Sequence, residues 1–190
     1  SSAPLAGTIT LSPPSTPATP APTSNTPVCT GNTISLSTST VAGGSYSWTG
    51  PSSFTSSVQN PTRASATTAM AGSYCVVVTV AGCPSAPGCT NVVVNPTPVI
   101  TAASGSNPTT CSGSDGSITL NGLANNTTYS VSYSKDLAAQ GPFTLTSNGS
   151  GQILITGLSA GSYTNFTVTA NGCTSAVFNG PLVLTDPSAP

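Results

Sequence analysis

The sequence predicts an all-β chain of two similar sandwich domains in tandem, held by disulfides. Three observations carry that prediction. Short runs of alternating apolar and polar residues recur throughout, separated by Gly, Pro, Asn and Ser. The chain resembles itself at a spacing of about 90 residues, the size of one sandwich domain. Its 6 cysteines fall at related places in the two copies.

The alternating runs come first. In the first half they are Thr33 to Thr38, Ser45 to Thr49, Ser73 to Val80 and Thr90 to Val94. In the second they are Val99 to Ala103, Gly116 to Leu120, Thr128 to Ser134, Phe143 to Thr146, Gln152 to Thr156, Tyr163 to Thr169 and Val177 to Leu184. Successive side chains of a strand point to opposite faces, so a strand with one buried face reads with period two. No window has the spacing of an amphipathic helix. Many short strands between turn residues indicate a sandwich.

The repeat fixes the organisation. Residues 71–83 read AGSYCVVVTVAGC and residues 160–173 read AGSYTNFTVTANGC, alike but for a single-residue gap. Cys29-Thr30-Gly31 leads into Thr33-Ile34-Ser35-Leu36, and Cys111-Ser112-Gly113 leads into Ser117-Ile118-Thr119-Leu120. We therefore divide the chain into an N-terminal extension (1–19), a first domain (20–96) and a second (97–190). Asn95-Pro96-Thr97-Pro98 forms the connector, where two prolines favour a stiff, extended link and end-to-end domains.

Each copy places a tyrosine at the start of a late strand, in Gly72-Ser73-Tyr74 and Gly161-Ser162-Tyr163. This matches the tyrosine corner of immunoglobulin and fibronectin type III sandwiches, where the hydroxyl bonds the backbone just upstream. Trp48, with Tyr46 on its face, is the expected core anchor of the first domain. Tyr129, Val131 and Tyr133 take the corresponding strand of the second.

With no His and no Cys-x-x-Cys pair, the cysteines read as disulfides, in an oxidising, extracellular or cell-surface setting. The repeat suggests Cys29–Cys83 and Cys111–Cys173, leaving Cys75 to pair with Cys89. Cys75 directly follows Tyr74 and so faces away from the core, which suits a bridge across a hairpin. The rival pairing is Cys29–Cys75 with Cys83–Cys89; sequence leaves both open.

Composition excludes several functions. Charged residues make up 3% of the 190 residues, a set of 2 Lys and Arg and 3 Asp and Glu, with net charge −1. The full set is Arg63, Asp115, Lys135, Asp136 and Asp186. General acid–base catalysis needs positioned titratable groups, and a nucleophilic Ser or Cys needs a base. We therefore expect no enzyme, no cofactor and no metal: Asp115 and Asp186 sit in turn contexts, and Lys135-Asp136 reads as a hairpin tip. Without a basic patch the chain lacks the footprint of a nucleic-acid binder. No run approaches the roughly 18 apolar residues of a membrane span. The opening Ser1-Ser2-Ala3-Pro4 reads as a processed chain or as part of a longer one.

The stretch from Tyr46-Ser47-Trp48-Thr49-Gly50-Pro51 through Gln59-Asn60-Pro61-Thr62 to Ala71-Gly72-Ser73-Tyr74 resembles the Ig-like repeats of giant cell-surface proteins of Bacteroidota, including adhesins of the gliding-motility type. Gly157-Leu158-Ser159-Ala160-Gly161-Ser162-Tyr163 followed by Asn171-Gly172-Cys173-Thr174-Ser175 does so too. The resemblance covers roughly residues 20–185. It implies secreted spacer and adhesive modules and carries over no catalytic residue. The cysteine pair Cys75/Cys89 and the N-terminal segment depart from its pattern.

Two functions are expected from this. The first is a non-enzymatic structural or adhesive protein, either a filament subunit associating with its own kind or one segment of a long adhesin among neighbouring Ig-like repeats. In the extension, Thr8, Ile9, Thr10 and Leu11 alternate like a strand, with prolines immediately after them. Ile9 and Leu11 suit an inter-subunit strand that fills a groove in a neighbour while its backbone pairs with an open edge. The second is a carbohydrate-binding or accessory module of a secreted enzyme, with surface glycans as partners and Phe54, Tyr133, Phe166 or Phe178 as stacking platforms. Since no His is present and every carboxylate is an Asp, almost nothing titrates between about pH 5 and 8. The thermal midpoint is expected to stay constant across that range in a calorimetric pH series; a shift of many degrees would contradict this.

Overall fold

The computed structural model describes residues 15–188. The chain divides into two compact units, the first ending at Val94 and the second beginning at Asn95. Among the described residues, apart from one 3-10 turn, Thr68–Met70, all regular structure is strand.

Unit 1 contains β1 (Thr23–Ser24), β2 (Val28–Cys29), β3 (Ile34–Ser37), β4 (Gly44–Gly50), β5 (Phe54–Ser56), β6 (Thr62–Arg63), β7 (Gly72–Val80), β8 (Cys83–Pro84), β9 (Gly88–Val92) and β10 (Val94–Asn95). One sheet runs β1-β3-β6. The other runs β5-β4-β7, with both β8 and β9 on the far side of β7, and β2 pairs β10. Alternation along β7 points Tyr74, Val76 and Val78 inward, all fully buried. Tyr74 and Val76 join Ile34 and Leu36 of β3 and Trp48 of β4 in one core cluster. Trp48 is fully buried, and its indole N–H donates to the Gln59 carbonyl at 3.2 Å, so the core anchor leaves no orphaned donor.

Unit 2 contains β11 (Ala102–Ser106), β12 (Gly116–Asn121), β13 (Thr128–Lys135), β14 (Ala138–Thr146), β15 (Ile153–Leu158), β16 (Gly161–Ala170), β17 (Cys173–Thr174) and β18 (Leu182–Leu184). The narrower sheet is β11-β12-β15; the wider is β14-β13-β16, with β17 and β18 both pairing β16. Tyr129, Val131 and Tyr133 all point into the core with Tyr163, Phe166 and Val168. The short strands β5 and β6 escape sequence reading because two or three residues cannot display a period.

The repeat has physical content. The Tyr74 hydroxyl donates to the Met70 carbonyl at 2.9 Å and the Tyr163 hydroxyl to the Ser159 carbonyl at 2.7 Å, both four residues upstream. These are tyrosine corners. A second shared device lies two residues beyond each repeat cysteine. Ser85 Oγ accepts from the Val78 N–H, and Ser175 Oγ from the Val168 N–H, each at 3.1 Å. Both serines are buried, so each completes a strand edge where the hairpin leaves its ladder. The one-residue gap between the copies is a β-bulge. Opposite Tyr133, β16 carries an extra residue, and Asn165 there has φ 55°.

The cysteines behave otherwise than the repeat suggests. Cys75 and Cys89 are direct cross-strand partners on β7 and β9, 4.1 Å apart at Cα, and are disulfide-bonded. Cys83 and Cys111 are thiols, the first half-buried and the second exposed. The expected Cys29–Cys83 and Cys111–Cys173 bridges are therefore not formed, and neither is the rival pairing. The reason is geometric. Val28, beside Cys29, donates to Val93, next to the Gly72↔Val92 end of β7, whereas Cys83 pairs Val80 at the other end. Strand rise of about 3.3 Å per residue separates them by roughly 25 Å, far beyond the 7 Å that a bridge tolerates. In unit 2 the Cys111 thiol donates to Pro187, just past the Gly161↔Leu184 end of β16, while Cys173 pairs Ala170 at the opposite end.

A Cβ built on Gly50 would lie 2.5 Å from Cδ1 of Tyr74, so the corner ring packs flat on that glycine. Gly50→Ala is expected to destabilise unit 1 by roughly 1–3 kcal/mol through overpacking. Denaturant unfolding read at the Trp48 fluorescence checks this; an unchanged midpoint would mean the ring moves aside freely.

Candidate functional site

The feature of unit 2 that most resembles a binding site is an open seam between its two sheets. Leu184 of β18 lies against Gly105 of β11, which places β11 at the β18 side of the wider sheet. Counting across from there, β12 and β15 back β16 and β13, and no described strand backs β14. The narrower sheet is one strand short.

The consequence is visible in β14. Phe143 opposes Val131 and Leu145 opposes Tyr129, and directly opposed residues share a face, so both point inward. Yet Phe143 is 40% exposed and Leu145 only half-buried. Beneath them lies a cleft of about 360 Å³ walled by Tyr133, Gln140, Ile155 and Leu158. Tyr133 stacks on Phe143 at 5.7 Å between centroids and lies 5.7 Å from Phe166 and 5.9 Å from Tyr163. The cleft floor is thus continuous with the core. Among the described residues, β14 pairs only β13 and β15 pairs only β12, so two free edges flank the cleft.

Unit 1 carries a different side chain on the corresponding edge strand of its narrower sheet. Arg63 of β6 opposes Ile34, at the register where Ile155 opposes Ile118 in unit 2. Its guanidinium lies 4.8 Å over the Phe54 ring and donates to the Tyr74 hydroxyl at 2.7 Å and the Pro51 carbonyl at 2.9 Å. A cation here covers the edge-strand aromatic and has its donors satisfied.

The remaining polar candidates have local roles. Asp115 accepts from the Thr109 backbone N–H at 3.0 Å and from the Thr109 hydroxyl. That hydroxyl, then the N–H, hold its carboxyl below the usual range. Asp136, at φ 49° in the two-residue turn between β13 and β14, accepts from the Ser162 N–H at 2.8 Å. Lys135 Nζ donates to Ser159 Oγ at 2.5 Å. Among the described residues no three His, Cys, Asp or Glu side chains gather in a metal-binding group. No described helix is long and apolar enough to cross a membrane. Of the aromatics considered as sugar platforms, Tyr133 and Phe166 are buried in the core, Phe54 lies under Arg63, and Phe178 is half-buried. The strand candidate Thr8, Ile9, Thr10 and Leu11 lies outside the described residues. Phe143 and Leu145 were legible as a short alternating run; their exposure was not, because it depends on which strand is missing opposite.

No family model matches the chain, and no curated protein matches it by sequence. Solved structures do. A chain from the crystal structure of a mouse coronavirus receptor-binding domain complexed with its murine receptor aligns at TM-score 0.51 and 16% identity, over 88% of this chain and 100% of that one. Murine CEACAM1b aligns at TM-score 0.49 and 14% identity, over 88% and 100%. A two-domain fibronectin type III segment of chicken tenascin aligns at TM-score 0.42 and 15% identity, over 86% and 98%. The likeness is one of fold: the chain is an all-β protein of immunoglobulin-like and fibronectin III-like sandwiches.

Two titrations bound its stability. Burial raises the Tyr133 phenol; burial, then the neighbouring Tyr133 and Asp136, raise Tyr163. Stability from keeping these phenols neutral is complete below about pH 10 and is lost as pH rises through their raised values. Asp115, being lowered, contributes above its ordinary 3.8 and loses that contribution as pH falls through its folded value. Unfolding followed from pH 8 to 12 is expected to show a falling midpoint above about pH 10 that Tyr133→Phe reduces. An identical alkaline profile in that variant would exclude Tyr133 as a cause.

Proposed function

We propose that the chain is a non-enzymatic extracellular structural or adhesive protein, working as the subunit of a surface filament or as a segment of a long tandem-repeat adhesin. The fold supports the coarser part of this reading: tandem immunoglobulin-like sandwiches make extracellular adhesive or binding modules. The similar structure at TM-score 0.51 comes from a complex of a receptor-binding domain with its receptor. Association through exposed sheet edges is the ordinary hazard of such folds, and native edges are normally covered, twisted or charged. Here the charges that would block association are almost wholly missing.

The single observation that carries the reading is the open seam of unit 2, a cleft floored by aromatic and aliphatic side chains between two strand edges that are unpaired among the described residues. Such a cleft binds backbone and alternating side chains, which is recognition by strand addition. The resemblance to Bacteroidota surface repeats supports the same assignment. So does the cross-strand disulfide Cys75–Cys89, which suits an oxidising compartment.

Electron microscopy of the purified chain beside a version lacking residues 1–17 tests the proposal. Filaments from the full chain and none from the truncation are the expected outcome for a subunit. Monodisperse particles from both would remove the filament role and leave the adhesin segment.

A further inference from the structure

We infer that the open seam of unit 2 is the seat of an N-terminal strand from a second copy of this chain: Gly7–Ser12 of one molecule lies beside β15 of another, with Ile9 and Leu11 pointing inward over Phe143 and Leu145. This rests on the reading of the chain as a self-associating surface protein and names the site that the reading requires.

The position follows from layer geometry. An inward-facing residue is covered by the strand opposite it in the other sheet, not by its own neighbours. Phe143 and Leu145 lie on β14, and the place opposite β14 is the vacant one beyond β15. A strand laid there hydrogen-bonds the free edge of β15 and completes the narrower sheet. It also removes the anomaly of a core-facing aromatic at 40% exposure. A strand added to β14 instead would lengthen the wider sheet and leave that aromatic uncovered.

The occupant follows from length and pattern. The segment Gly7-Thr8-Ile9-Thr10-Leu11-Ser12 has six residues, about 20 Å when extended, and β15 also has 6. Ile9 and Leu11 are two apart and share a face, which gives two apolar side chains for the two uncovered ones. The alternating threonines and serine face water. No charge lies anywhere in residues 1–19, so none must be desolvated.

The prolines after this segment make a second copy the partner. Pro13, Pro14, Pro17, Pro20 and Pro22 favour an extended, stiff run that projects the strand away from its own sandwich. That run is secured at its far end: a Cβ at Gly88 would meet the Pro20 carbonyl oxygen, so Pro20 lies directly on β9 of unit 1. In unit 1 the edge-strand aromatic Phe54 is already covered by Arg63.

Hydrogen exchange of the full chain, read on the β15 amides across a concentration series with sedimentation run in parallel, tests this. The companion is Ile9→Asp/Leu11→Asp, which leaves every described core residue unchanged. We expect exchange at Ile153–Leu158 to slow by at least about tenfold as the chain assembles, and the double variant to abolish both the protection and the assembly. Assembly with β15 exchange unchanged would overturn this inference while the filament reading stands. Protection of β15 that is independent of concentration and lost in the double variant would overturn the second copy as occupant, the chain then filling its own seam. No assembly and no protection at any concentration would overturn the inference and the filament reading together.

Discussion

Each sandwich is organised around one hydroxyl. Tyr74 and Tyr163 bond the carbonyl four residues upstream, and this fixes the corner at which the chain crosses between sheets. The rest of each core is placed from there. Tyr74 lies flat on Gly50, stands edge-on to Phe54 at 5.5 Å and accepts from Arg63. Tyr163 meets Tyr133, which in turn contacts Phe143 and Phe166. In a chain with so few charges, bonds of this kind carry specificity that salt bridges supply elsewhere. A buried phenol left without its acceptor costs about 1–3 kcal/mol, so the corner admits few alternatives.

The two units share this core plan but carry different side chains on the edge strand of the narrower sheet. Where β6 presents Arg63, β15 presents Ile155. The Arg63 guanidinium reaches across to Phe54 and finds two oxygen acceptors.

The cysteines show how a correct repeat can mislead about pairing. Equivalence between copies is a statement about position in the fold, and Cys29 with Cys111, and Cys83 with Cys173, are indeed equivalent in the sequence. It does not follow that equivalents close onto each other within a unit. The two members of each expected pair sit at opposite ends of a strand of 9 or 10 residues. The pairing of Cys75 with Cys89 rests instead on the face each occupies, a local property, and it corresponds to the bridge in the structure.

Sequence alone determined the strand content, the duplication, the tyrosine corners, Trp48 as anchor and the poverty of chemical groups. Each of these is written in local alternation, in a repeated string or in composition, and needs no knowledge of what lies across the core. The serine pins at Ser85 and Ser175 are present in the repeat too, two residues after its cysteine, but their burial against a strand edge is not. Tertiary structure decided which cysteines meet, that Arg63 caps Phe54 and that nothing described caps Phe143. These depend on the order of strands in two facing sheets and on how many strands each sheet holds. Periodicity says which face of a strand is buried; only the assembled layers say whether another strand stands opposite to bury it.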